Sequence, residues 1–247
     1  MRSLWKMTLV EVKLYLREPM AAFFTLIFPL MMLFIFGSIY GNEPTPFFDG
    51  RGSVDMSVPA YMAMIIGTVG LISIAINVSM YREKGILRRY RATPLRPQTI
   101  LVATVLVNFM ATFLGTILLI VAAKVVYNLR FEGNALAVLA GFVLACFSFF
   151  SLGFVIAGLS PTARVAQTVG MVVFYPMLFL SGAAIPQEMM PEGVRNAARF
   201  LPLTHVVNLL QGLWFGGTWR DHLTEVAVLA GVLVVGGIVA AKTFRWE

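Results

Sequence analysis

Six stretches of this chain run for about the thickness of a bilayer with almost no charge, and few folds accommodate that pattern. They are Met20–Asn42, Met56–Tyr81, Pro97–Ala123, Gly133–Ala163, Val165–Gln187 and Leu223–Ala241, the last carrying only Glu225 near its start. A helix needs about 20 apolar residues to cross the hydrocarbon of a membrane, and the fourth stretch is long enough to tilt or to run past it. None shows the period-two alternation of a barrel strand. The expected fold is therefore an all-α polytopic membrane protein with six transmembrane helices. Composition excludes a soluble domain: 59% of the 247 residues are apolar and 13% charged, against about 45–50% and about 25% in ordinary globular chains. The single Cys146 excludes an intramolecular disulfide and a Cys-rich metal site.

Charge sets the expected orientation. Residues 1–19 place Arg2, Lys6, Lys13 and Arg17 in one arc of a helix beside Trp5, Leu9, Val12 and Leu16, a pattern suited to the membrane interface. Pro19 ends it. The first span exceeds the about 7–15 residues of a signal-peptide core and is expected to remain as an anchor. Thirteen Lys and Arg fall on the side shared by both termini, the 82–96 loop and Arg164; six fall on the other side with eight of the twelve acids. Positive-inside bias then puts both termini in the cytoplasm. The net charge of +7 follows from this asymmetry and implies no nucleic acid.

Several chemistries are missing. No Gly-Lys dipeptide occurs, so no P-loop can form. His205 and His222 have no ligand pattern around them and read as satisfied or solvated side chains, so no metal site is expected. The spans as bounded above lack Lys, Arg and paired carboxylates, which argues against proton pumps and ion-coupled carriers. No hydrolase motif is present, and no catalytic residue is assigned. Asn77, Asn108 and Gln167 read either as interhelical hydrogen-bonding groups or as a polar patch on a substrate path. Phe24 and Phe28, with Phe23, Phe34 and Phe36, face lipid or line a cavity. Pro29 and Pro176 are expected to kink the first and fifth spans.

The stretch Tyr81–Pro97 carries six basic residues and one acid, Glu83. Ile86, Leu87 and Tyr90 share one helical face, Arg88, Arg89 and Arg91 cover much of the rest, and Pro94 and Pro97 end it. Charge alone suffices for topology; the Glu-Lys-Gly and Ala-Thr-Pro around it are not needed for that. The run Arg82-Glu83-Lys84-Gly85-x-Leu87-Arg88-Arg89, then Ala92-Thr93-Pro94, resembles the loop after the second span in permease subunits of ABC type-2 exporters. A second resemblance runs from Phe179 through Pro186 and Pro191 to Leu201-Pro-Leu-Thr204 and Leu210–Gly217. Together with the six spans it covers essentially the whole chain. Where family members often carry an acid and an Arg, this chain has Asn208 and Gln211.

The resemblance implies a single permease domain, residues 1–247, in the cytoplasmic (inner) membrane. It would pair with a second copy, and each copy would dock on a separate P-loop ABC ATPase holding ATP and Mg; this chain would hold no cofactor. Residues 82–95 would form the coupling helix, with Arg82, Glu83, Lys84, Gly85, Leu87, Arg88, Arg89, Arg91, Thr93 and Pro94 at the ATPase interface. The helix at 1–19 would brace that junction, and residues 184–221 would form short external re-entrant helices. The uncharged spans favour a small lipophilic or amphipathic cargo, as in daunorubicin-resistance permeases. The alternatives are glycan, glycolipid or lipid export, a membrane scaffold that recruits a cytosolic partner, and an ion-coupled carrier.

Overall fold

The computed structural model describes residues 12, 22–48, 50–86 and 97–243. Within them six helices are long and apolar enough to cross a membrane: α1 (Phe23–Tyr40), α2 (Ser53–Glu83), α3 (Pro97–Tyr127), α4 (Ala135–Leu159), α5 (Ala163–Leu180) and α8 (Leu223–Thr243). Two short helices, α6 (Glu192–Ala198) and α7 (Pro202–Trp214), lie between α5 and α8. No strand forms among the described residues beyond an isolated bridge between Thr45 and Arg51. The segment 1–19, apart from Val12, and residues 87–96 of the basic loop lie outside the described residues.

Local chemistry sets the helix ends. The Asn134 side chain accepts from the amides of Leu136 and Ala137 at the start of α4 (2.9 and 3.2 Å), and Thr162 does the same for Val165 in α5 (3.3 Å). Both are N-caps. Pro202 opens α7, where a missing amide costs nothing. Gly85 takes φ +64° just past α2, a left-handed position that suits glycine at a helix end.

Helix α2 is the axis of the chain. Some 89% of its most apolar stretch is buried within the protein, against 11% for α8. Its ladder shifts to a π-turn at Val69–Ser73, where the Ile74 amide reaches back to the Val69 carbonyl. Two neighbours come close there. A Cβ on Gly153 of α4 would overlap the Gly70 carbonyl, and one on Gly170 of α5 would stand 2.5 Å from the Leu71 carbonyl. Glycine lets both helices pack on the backbone of α2. In α1 a similar π-turn occupies Phe23–Ile27. Pro29 has no amide for the Thr25 carbonyl, and Gly115 of α3 packs on that carbonyl, 2.9 Å from where its Cβ would be. Pro176 is carried inside α5.

Helices α4 and α8 join through small polar groups. The Ser148 hydroxyl is shared between its own-helix Leu144 carbonyl and the Leu229 carbonyl across the interface (2.7 and 2.8 Å). Ser151 sits against Gly236, while Gly231 and Gly237 face open space.

The structure corrects three boundaries, one of them the fifth span, which ends at Leu180 and not Gln187. The second span starts a turn earlier than the charge-free run, so Asp55 lies in the first turn of α2 and is 2% exposed. Lys124 likewise falls inside α3, in its last turn. A carboxylate tolerates that depth because one of its oxygens holds two donors. Asp55 Oδ1 accepts from Asn42 Nδ2 (3.0 Å) and from the Arg130 amide (2.8 Å), and Asn42 Oδ1 accepts from the Asp55 amide (3.1 Å). Asn42 also donates to the Tyr127 carbonyl (3.0 Å). This knot ties the end of α1, the start of α2 and the α3–α4 connection together. Asp55→Ala is expected to destabilise the chain by about 1–3 kcal/mol for each buried donor it orphans, read as a lower melting temperature in detergent. Asp55→Asn keeps one acceptor oxygen and should fall between the two.

Candidate functional site

Three places carry groups that the packing alone does not require. The first is the basic end of the bundle, where α2 runs into the Arg-rich loop. Arg82 donates to the carbonyls of Gly158 (3.4 Å) and Ser160 at the end of α4. Glu83 Oε2 accepts from the Ala163 amide at the first residue of α5 (2.8 Å). A cation on the carbonyl end of one helix and an anion on the amide end of the next both complement the helix dipoles. Consecutive residues of α2 therefore clamp both sides of the α4–α5 corner. Lys84 is exposed, and its amide closes on the Met80 carbonyl (2.9 Å). Gly85 then turns the chain away. Leu87, Arg88, Arg89, Arg91, Thr93 and Pro94 lie outside the described residues.

The second place is the interior. Thr104, Asn108, Thr112 and Thr116 recur at every fourth position of α3, and all four are buried. Thr104, Asn108 and Thr112 each donate to the carbonyl four residues back, at 3.0, 2.8 and 2.7 Å. The Oδ1 atoms of Asn108 and Asn77, and the hydroxyls of Thr25 and Thr116, are buried and have no hydrogen-bond partner among the described residues. An unpaired polar atom in a buried site is costly, so these groups have hydrogen-bonding capacity to spare for a neighbouring helix or a ligand. Phe24 and Phe28 are half-buried near the same end of α1, ring centroids 5.6 Å apart. Gln167 stands apart from the buried asparagines, exposed on α5.

The third place is a cavity of about 470 Å³ at the end opposite the Arg82–Glu83 corner. Phe36 and Tyr40 of α1, Met56 and Tyr61 of α2, the 182–186 segment after α5 and Gln211 of α7 surround it. Two polar residues of α7 hold its walls. Gln211 donates to the Met56 carbonyl (3.0 Å), and Asn208 accepts from Gln187 Nε2 (3.1 Å), which also reaches the Ser181 carbonyl (2.6 Å). Arg51 lies over the Phe215 ring at 3.8 Å, a cation–π contact at the same end. The residue types of this cavity were visible in sequence, but its walls come from four distant segments, and no local spacing announces them.

Neither histidine joins a group of three or more His, Cys, Asp or Glu side chains that could hold a metal among the described residues. His205 Nε2 contacts the Arg199 carbonyl (2.9 Å), and the neighbouring Thr204 hydroxyl donates to the Ala198 carbonyl (2.7 Å), fixing α7 under α6. His222 fills the notch left by Gly212 and approaches Glu225 at 3.8 Å. In the turn before α8, the amide and hydroxyl of Thr218 hold Asp221 below the usual carboxylate range.

Comparison with known proteins agrees with this layout. The model of a family described as "ABC-2 type transporter" matches residues 2–215. The chain is 33% identical over 98 residues to Nodulation protein J of Rhizobium leguminosarum bv. trifolii, covering 40% of this chain and 37% of that protein. It is 24% identical over 188 residues to the Inner membrane transport permease YhhJ of Escherichia coli, covering 72% of this chain and 50% of the permease. With the Daunorubicin resistance ABC transporter permease protein DrrB1 of Streptomyces coeruleorubidus it shares 24% over 227 residues, 89% of this chain and 76% of that one. The chain thus spans half or less of the first two of these relatives.

Proposed function

Because the chain belongs to the ABC-2 type transporter family, we propose that it is the permease subunit of an exporter driven by a separate P-loop ATPase. The observation that carries this reading is the continuity of α2. One helix of 31 residues, about 47 Å at 1.5 Å per residue, starts in the wall of the 470 Å³ cavity and ends at the Arg82–Glu83 corner. A continuous, buried helix between a docking end and a cargo end can convert a push at one into a change of shape at the other.

The ATPase binds on the cytoplasmic side, against the 82–95 segment, and holds the ATP and Mg. Both termini face that side by the positive-inside bias. The clamp on the α4–α5 corner passes the motion to α5 as well as α2. A second copy of the chain completes the exporter; Gln167, a polar side chain exposed on a membrane-spanning helix, is costly against lipid and suits that contact. The cargo is a small lipophilic or amphipathic molecule: the cavity is walled mainly by apolar and aromatic groups, and the relative DrrB1 is named for daunorubicin resistance. Asn77 and Asn108, with Phe24 and Phe28, lie toward the cytoplasmic end of their helices and serve the inner part of the path.

The cargo assignment is tested by following ATP hydrolysis of the chain and its ATPase together in lipid vesicles. Stimulation by lipophilic drugs, lost on Tyr61→Ala or Gln211→Ala, is the expected result. Stimulation by glycolipids and not by drugs replaces the cargo while keeping the exporter. Indifference to both contradicts a transport role and favours a scaffold.

A further inference from the structure

A second, separate cavity of about 420 Å³ opens between α3 and α4. Its floor is Met62 of α2 and Trp214 of α7, both buried, while Phe113 and Ile117 of α3 and Leu139 of α4 form exposed lips. These lips belong to the outer faces of two spanning helices, so the groove opens sideways to the membrane. Aromatic rings close it at depth: Phe109 and Phe113 pack on Phe142 with centroids 6.1 and 6.2 Å apart. At its other end Phe131 stands edge-on to Trp214 at 4.7 Å, and Lys124 marks the rim.

The dimensions fit one kind of occupant. The rise from Phe113 to Lys124 is about 16 Å along the helix, close to half of the roughly 30 Å hydrocarbon core. The groove therefore runs from headgroup level to mid-bilayer, the path of a single acyl chain in one leaflet. Lys124 Nζ donates to the Leu129 carbonyl (3.0 Å), which fixes the ammonium at the rim and leaves two of its three N–H groups for an anion. Trp214 stands at the same end as Lys124, and Trp is enriched at the membrane–water boundary.

We propose that this groove is a binding site for an anionic phospholipid, with one acyl chain between α3 and α4 and the headgroup phosphate on Lys124. It lies apart from the cargo cavity and does not depend on the cargo assignment. The site would make the α3–α4 surface select acidic lipid from the surrounding bilayer.

Trp214 in the groove floor provides the readout. Trp5, Trp219 and Trp246 are replaced by Phe, and the full chain is placed in phosphatidylcholine vesicles containing phosphatidylglycerol or phosphatidylcholine brominated on the acyl chain. Trp214 fluorescence is expected to be quenched by the brominated phosphatidylglycerol at about five-fold lower mole fraction, the effect of one lysine near an anionic surface. Lys124→Gln should remove that preference and leave quenching by phosphatidylcholine in place. Ala135→Phe, at an exposed position on the α4 lip, should reduce quenching by both lipids without repacking the core. Equal quenching by the two lipids in the parent chain overturns the proposal, because it reports ordinary surrounding lipid. Absence of quenching by either, or a groove-filling variant with no effect, overturns it as well.

Discussion

Gly153→Leu is expected to abolish the folded chain, giving aggregated protein in detergent where the parent gives a single species by size-exclusion chromatography. The reason is what Gly153 faces. Its Cβ position overlaps the backbone carbonyl of Gly70 in the π-turn of α2, and a backbone atom inside a buried helix cannot swing aside as a side chain can. Overpacking ordinarily costs about 1–3 kcal/mol, and more when backbone must shift. Here α4 must move off α2, and its contact with α8 through Ser148 and Ser151 moves with it. Gly153→Ala should already lower the melting temperature. Gly231→Ala is the control: its Cβ meets nothing within 4 Å, so the helix propensity of alanine makes it neutral or stabilising by up to about 1 kcal/mol. A Gly153→Leu chain as stable as the parent would show that α2 and α4 do not pack through this contact.

Glu83→Ala is expected to reduce transport at least ten-fold while leaving membrane insertion and most of the stability intact. The lost cap on α5 costs about 1 kcal/mol, too little to unfold the chain. The mechanical loss is larger, because Arg82 is then the one α2 side chain still hydrogen-bonded to the α4–α5 corner among the described residues. Glu83→Gln separates two roles. A Gln oxygen can still accept from the Ala163 amide, so a cap on α5 predicts substantial recovery of transport with Gln. An ion pair with the ATPase predicts that Gln fails as Ala does. Parent-like transport by Glu83→Ala would remove the corner from the coupling route.

Much of the architecture is legible in the apolar runs, because a bilayer demands length and a helix supplies it. The six spans overlap the charge-poor runs, and two of them start at readable caps, Asn134 and Thr162. What escapes a linear reading is set by partners far along the chain. Asp55 reads as a loop acid until Asn42 and the Arg130 amide close around it. Arg82 and Glu83 read as loop charges, yet both close on the α4–α5 corner some eighty residues later. Proline was a partial guide. Pro29 accompanies the π-turn in α1, α5 continues through Pro176, and the π-turn of α2 at Val69–Ser73 has no proline near it. That turn is instead matched by Gly153 and Gly170, whose small size was plain in sequence but whose facing carbonyls were not. Gln167 was visible as a polar residue in a span; its outward direction required the packed bundle.

The claim on which the rest depends is that a separate ATPase engages this chain at the basic end of α2. Co-purification with a co-expressed P-loop ABC ATPase tests it directly, using the parent chain and a variant with Arg88 and Arg89 both replaced by Glu. The account predicts a stable complex with the parent chain and its loss on charge reversal, with both chains inserted in the membrane equally well. A parent chain that binds no such ATPase, or a complex indifferent to the reversal, contradicts it.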